Sequence, residues 1–223
     1  MNSITAFFSF LVLTFASLSG AHSSHANNID VDAEIKNLSD KAPELSQKAL
    51  HYALTAYKEA EKEGCVKNHV LTVIDYSLPS SKQRMWIFDI NHDKLLYNTY
   101  VAHGKNSGLN VPTHFSNTNS SLETSLGTYI TKDTYIGSKG YSLNLDGIEK
   151  GYNDHAYNRR VVVHGAWYVE SDFIKNSGRA GRSWGCPAVA KSMAKPIINA
   201  IKGGSVLFAY YPDSDYLGHS AFV

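Results

Sequence analysis

From Val70 onward the spacing of apolar residues alternates, and the chain beyond that point is cut into short runs by polar, glycine-bearing connections. Alternation puts one face of each run in a core and the other toward solvent, so the runs read as β-strands. The expected strands are 70–75, 84–90, 94–101, 127–132, 141–145, 161–164 and 205–211, with Asn91-His92-Asp93 as the hairpin turn joining the second to the third. The connection 104–121 is too long for an idle turn and reads as a functional loop. Near the C-terminus one stretch, 187–202, reads as helical, interrupted at Pro196 and closed by Gly203-Gly204. Aromatic content of 12%, including 14 Tyr, suits such a mainly β domain with many turns.

What precedes the alternating region divides in two. A helix is expected from Pro43, at its first turn, to Gly64 as the residue that ends it, with Leu45, Ala49, Tyr52, Ala53, Ala56 and Ala60 on one face; 27–42 reads as loose polar chain. The first 26 residues contain no Asp, Glu, Lys or Arg, and residues 4–18 form an apolar run of signal-peptide length, too short to span a bilayer comfortably. Cleavage after Ala21 or Ala26 satisfies the small-x-small rule. The expected organisation is therefore a signal peptide over 1–26, a polar segment and helix over 27–67 and one domain over 68–223, with no membrane span left after cleavage. Such a chain is exported, to the periplasm or the exterior.

Charge excludes some partners. With 21 Lys+Arg against 20 Asp+Glu there is no basic field to hold nucleic acid. The ten histidines include no H-E-x-x-H and no close His or Cys pair, so no metal site is expected. Gly104-Lys105-Asn106-Ser107-Gly108 lacks the ending of a phosphate-binding loop. Gly181-Arg182-Ser183-Trp184-Gly185 has the form of a serine-hydrolase elbow, but the polar, glycine-rich 175–180 cannot be the buried strand which that elbow requires.

Two cysteines remain. Cys186 lies between glycines and Pro187, which reads as the start of a helix; a thiol at a helix N-terminus would ionise more easily and have backbone N–H groups near it. His164 ends the apolar run Val161-Val162-Val163 and is followed by Gly165, a strand exit where an imidazole can be aimed. A loop cysteine with a strand-end histidine is an arrangement for thiol acyl transfer. On residue types alone, a buried unreactive thiol and a structural Cys65–Cys186 disulfide remain open beside it.

His164-Gly165 followed by Ser183-Trp184-Gly185-Cys186-Pro187-Ala188-Val189 resembles the catalytic signature of murein L,D-transpeptidases. The resemblance continues through Leu71-Thr72-Val73-Ile74-Asp75-Tyr76-Ser77, Val101-Ala102-His103-Gly104, Phe115-Ser116-Asn117, Ser125-Leu126-Gly127 and Leu145-Asp146-Gly147, covering nearly all of 68–211. It is strongest with the branch whose motif reads S-W-G-C-P-A. Better-known members carry His where Trp184 stands, and commonly Arg or Asn shortly after the cysteine.

The resemblance implies a β-sandwich-like catalytic domain with a preceding helix and short peripheral helices. It implies Cys186 as nucleophile, His164 as its base, the Gly165 carbonyl as the group orienting the imidazole, and the N–H groups of Gly185 and Cys186 as the oxyanion site. The substrate would be the peptidoglycan stem peptide, with a thioester formed on Cys186, terminal D-alanine released and an amine acceptor completing the transfer, without metal or organic cofactor. Arg182 is the first choice to bind a stem carboxylate, ahead of Arg159, Arg160 and Arg179; Ser183, Trp184, His103 and Tyr141 are candidate lining residues. The Trp184 indole would exclude water and so favour an amine acceptor. Two other outcomes are kept: hydrolysis on the same scaffold, as an L,D-carboxypeptidase or amidase, and a cell-wall binding module silenced by the disulfide.

Overall fold

The structure, a computed structural model, describes residues 31–223, so the expected signal peptide and its cleavage sites lie outside the described residues. Two helices come first, α1 (Val31–Ser39) and α2 (Gln47–Lys62). α1 falls in the stretch expected to be loose; Leu38 is buried, and Val31 and Ile35 pack against the same core, so docking rather than composition makes this helix. α2 starts later than expected, because Ser46 is its cap: the Ser46 hydroxyl accepts from the Ala49 N–H at 3.5 Å, leaving Pro43 in the preceding turn.

Eight strands follow: β1 (Val70–Asp75), β2 (Met85–Asp89), β3 (Lys94–Thr99), β4 (Gly127–Gly137), β5 (Gly140–Gly147), β6 (Val162–Ala166), β7 (Ala188–Ala190) and β8 (Val206–Tyr210). The mainly β expectation holds, and the strands join in one continuous sheet ordered β3-β2-β1-β8-β4-β5-β6-β7. The pairs β1–β8 and β6–β7 are parallel; the others are antiparallel. β4 and β5 run further than the sequence suggests. Past an irregularity between Thr131 and Thr134, β4 is largely exposed, Tyr135 and apolar Ile136 included, so hydrophobic alternation no longer marks it while the backbone pairing continues to Gly137 and Gly140.

The helix expected over 187–202 is shorter. Residues 188–190 are β7, and the helix, α4 (Lys191–Ile201), starts after them and continues through Pro196. Short elements not expected from sequence are a 3-10 turn (Trp167–Val169), α3 (Ser171–Ser177) and α5 (Ser214–His219).

Each face of the sheet packs a core. On one, α2 lies over β1 and β8, burying Leu50, Leu54 and Tyr57 against Leu71, Val73, Phe208 and Trp86. On the other, α4 contacts β1, β5, β6 and β7, and its Ile197, Ile198 and Ile201 meet Ile74, Leu143, Leu145 and Val163. Strands distant in the sheet thus share one helix, which is what makes the fold sandwich-like. Gly165 belongs to this packing: a Cβ there would stand 3.0 Å from Ala194 Cβ and 3.1 Å from Lys191 Cα, so glycine lets α4 approach β6.

Ile198 is fully buried at the centre of this second core. Ile198→Ala is expected to cost about 2–5 kcal/mol of stability in urea denaturation, through lost burial and the cavity left behind. A change below about 1 kcal/mol would mean that α4 does not carry the packing.

Candidate active site

β6 and β7 bring the two candidate reacting residues together. Their parallel register sets His164 opposite Ala188, two residues beyond Cys186. Cys186 and His164 line a single cavity of about 390 Å³, together with Tyr135, Ser138, Lys139, Arg159, Arg160, Tyr168, Arg182, Ser183 and Trp184.

The loop carrying Cys186 is held by a closed set of hydrogen bonds. The Ser183 hydroxyl donates to the Cys186 carbonyl at 2.6 Å and accepts from the Gly185 N–H at 3.1 Å. Gly185 has φ +122°, a left-handed conformation, and a Cβ there would meet the Glu123 carbonyl at 2.8 Å, so the turn before the thiol requires glycine. The Ser183 N–H and carbonyl bond to His103 O at 2.9 Å and Lys105 N at 2.8 Å, tying the loop to the chain after Val101. Arg159 braces the far side of that long connection, donating to Ser116 O at 2.7 Å, Glu123 O at 2.7 Å, Ser121 Oγ at 3.2 Å and Ser125 Oγ.

The His164 Nδ1 lies 3.0 Å from the Gly165 carbonyl. A carbonyl only accepts, so Nδ1 carries the proton and Nε2 keeps its lone pair. Burial, with the Lys139 charge adding to it, holds the imidazole below its usual range, so it is neutral at pH 7. The thiol donates weakly to the Arg160 carbonyl at 3.6 Å. Burial pushes it above the usual thiol range; a hydrogen bond from the Val162 backbone and the charges of Arg159 and Lys139 pull the other way without overcoming the desolvation. The expectation of a thiol activated at a helix N-terminus fails here: Cys186 precedes β7, and α4 begins five residues after it. The resting pair is a neutral thiol and a neutral imidazole.

Residues 41–210 match the family model of the L,D-transpeptidase catalytic domain. This chain belongs to that family. A search of curated proteins returns no match. Among solved structures, an L,D-transpeptidase from Mycobacterium smegmatis is similar at 16% identity and TM-score 0.39, covering 64% of this chain and 59% of that one. One from Stackebrandtia nassauensis is similar at 15% and 0.38, covering 79% and 76%. An LD transpeptidase in complex with imipenem is similar at 15% and 0.39, covering 64% and 59%. The chain thus spans about three fifths of the length of the first and last of these relatives.

Within this L,D-transpeptidase domain several residue expectations change. The Gly185 N–H is taken by the Ser183 hydroxyl, whereas the Cys186 N–H has no backbone partner among the described residues. His103 does not line the cavity. It is buried, accepts from Arg84 Nη2 at 2.7 Å through Nδ1 and donates from Nε2 to Gly108 O at 3.3 Å; burial and the Arg84 charge lower its pKa to about 3. Tyr141 also lies outside the cavity, with its hydroxyl on Asn199 Oδ1 at 3.0 Å. Arg182 lines it, but its Nη1 is bound to the carbonyls of Lys105 and Gly108 at 2.7 and 3.1 Å. Arg179 is elsewhere, donating to Ala180 O. Trp184 lines the cavity yet is 75% exposed, so it does not seal it.

Tyr135, Ser138, Lys139 and Tyr168 were not anticipated. They arrive from the β4–β5 hairpin and the 3-10 turn, and no local pattern marks them. Both cysteines are free, which removes the Cys65–Cys186 disulfide; Cys65 packs at the edge of the α2 core while Cys186 faces the cavity. The segment before Gly181 contains α3 and no strand, consistent with rejecting a serine-hydrolase elbow. Among the described residues no helix is long and apolar enough to cross a membrane.

A raised thiol pKa has a direct consequence. Alkylation of Cys186 by iodoacetamide is expected to be slow at pH 7 and to keep rising past pH 8.5, about the value at which an ordinary thiol is half ionised. A plateau below pH 7 would show a preformed thiolate and contradict the desolvation argument.

Proposed function

We propose that this domain is an exported cysteine acyltransferase acting on peptidoglycan stem peptides, with Cys186 as nucleophile and His164 as base. The observation that carries this reading is the shared cavity lined by the Cys186 thiol and by an imidazole whose Nδ1–H is committed to the Gly165 carbonyl, leaving Nε2 to receive a proton. Family membership supports the substrate class. The apolar run at residues 4–18 supports export.

Because both groups start neutral, proton transfer accompanies attack. As Sγ bonds to the carbonyl carbon at the L-centre of the diamino acid, its proton leaves the Arg160 carbonyl and passes to Nε2. The Cys186 N–H supports the developing oxyanion. Collapse breaks the bond to D-alanine, whose nitrogen takes the proton from the imidazolium, and the acyl group remains as a thioester on Cys186. An acceptor amine then attacks the thioester, losing its proton to Nε2, and thiol and product are restored. Loop and sheet do the positioning; no step needs a further cofactor.

Water can compete as acceptor, since the exposed Trp184 leaves the cavity open. The amine is nevertheless the better nucleophile. With a tetrapeptide-bearing muropeptide and excess glycine or a D-amino acid, mass analysis should find more exchanged tetrapeptide than free tripeptide, and Trp184→Ala, which removes no sealed wall, should leave that balance nearly unchanged. Tripeptide alone at saturating acceptor would make the L,D-carboxypeptidase the correct reading. Cys186→Ala is expected to abolish both products and His164→Ala to lower turnover by about 10²–10⁴-fold, with the fold intact by circular dichroism. Retention of more than a few per cent of activity by Cys186→Ala would rule out the nucleophile.

A further inference from the structure

A second cavity of about 380 Å³ adjoins the first and shares the His164 imidazole with it. His164, Lys139, Ser138 and Tyr168 line both; Lys191, Trp167 and the β6 exit line only the second. Among the described residues no Asp or Glu lines either one, whereas Lys139, Arg159, Arg160 and Arg182 line the first and Lys139 and Lys191 the second. In a chain with 21 basic and 20 acidic residues, such a one-sided lining marks a place for an anion.

The cations are not equally available. The terminal nitrogens of Arg159 are occupied by the long connection, and Arg182 Nη1 is bound to two carbonyls. Lys139 makes no hydrogen bond and no ion pair among the described residues, yet its charge is felt at both the Cys186 thiol and the His164 imidazole. Its position is well defined for a lysine. Gly137 pairs with Gly140, so Ser138 and Lys139 are the two residues of a tight hairpin turn, and the backbone that carries the ammonium is held by the β4–β5 ladder.

We propose that Lys139 is a specificity-determining residue that reads a free carboxylate on the stem peptide, namely the second carboxyl of the diamino acid, the one not engaged in the scissile bond. The proposal rests on the stem-peptide reading above. It follows from the chemistry of that ligand: the anions a tetrapeptide stem offers are carboxylates, and that of the terminal D-alanine, three bonds from the reacting carbonyl, departs with the leaving group, whereas the second carboxyl of the diamino acid stays on the acyl group through both steps. An ammonium with unfilled donors beside the thiol can bind it. A neutral amide at the same position would leave the ammonium without a counter-charge. Because Lys139 is exposed, water and salt weaken the contact, and the preference is moderate.

The test separates this proposal from the catalytic reading. Two synthetic tetrapeptide stems, identical except that the second carboxyl of the diamino acid is free or amidated, are titrated by calorimetry into full-length Cys186→Ala protein, where no turnover occurs. The free acid is expected to bind about three- to tenfold more tightly than the amide. The double variant Cys186→Ala/Lys139→Gln should bring that ratio close to one, and Cys186→Ala/Lys139→Arg should restore most of it, which a merely structural role would not do. Equal affinity for the two stems, an unchanged ratio after Lys139→Gln, or no binding of either stem would overturn the proposal. Failure of the acyltransfer reading would appear elsewhere, as wild-type enzyme that releases D-alanine from neither stem while the binding ratio still follows the charge at 139.

Discussion

The three-residue parallel ladder between β6 and β7 is the constraint on which the site depends. It places His164 opposite Ala188 and so brings the imidazole to within two residues of the thiol along the paired strand. β6 is itself held by β5 on its other edge and by α4 on its face, with Gly165 permitting the close approach of that helix. The thiol side has no comparable secondary structure. Its rigidity comes from side chains: Ser183 closes the turn around Gly185, and Arg159 and Thr124 tie the neighbouring connection down, with Thr124 accepting from Gly104 N at 2.9 Å and donating to Gly185 O at 3.4 Å. A reacting pair is held more accurately by such a sheet and its bracing than by either loop alone.

Electrostatics set the resting state. Desolvation keeps the thiol protonated and the imidazole neutral, so in the proposed acyl transfer charge would separate only as the thiol attacks. Beneath the site, Arg84 and His103 form a buried group that works differently. Arg84 lies 5.0 Å from the Tyr76 ring centre and donates to the Val101 and Leu78 carbonyls and to His103. His103 in turn holds the Gly108 carbonyl, which also receives Arg182, and the Ser183 N–H. These residues anchor the reactive loop from below.

The strands were legible because half-buried strands announce themselves by alternation, and β1 coincides with its expected limits. Cys186 and His164 stood out because glycines and proline surround the one and an apolar run leads into the other, although His164 sits in the middle of β6 and not at the strand exit expected from Gly165. β7 was not legible: Ala188, Val189 and Ala190 are equally at home in a helix begun by Pro187, and only pairing with β6 makes them a strand. That one misreading carried the false inference of a helix-activated thiol. His103 and Tyr141 misled for a related reason, since polarity and proximity to a motif say nothing about which way a side chain faces. Lys139 was invisible because a two-residue turn 47 positions before Cys186 meets it only through the sheet. α1 and α3 are short, and what orders them is contact with the domain.

The central claim is that Cys186 carries the acyl group of a stem peptide. Wild-type protein mixed with a tetrapeptide stem without acceptor, quenched in acid within the first turnover and read by intact and peptide mass spectrometry, should carry an adduct equal to the stem minus D-alanine on the peptide containing Cys186. Release of D-alanine with unmodified Cys186 at every quench time, or an adduct located on Cys65, would contradict the account.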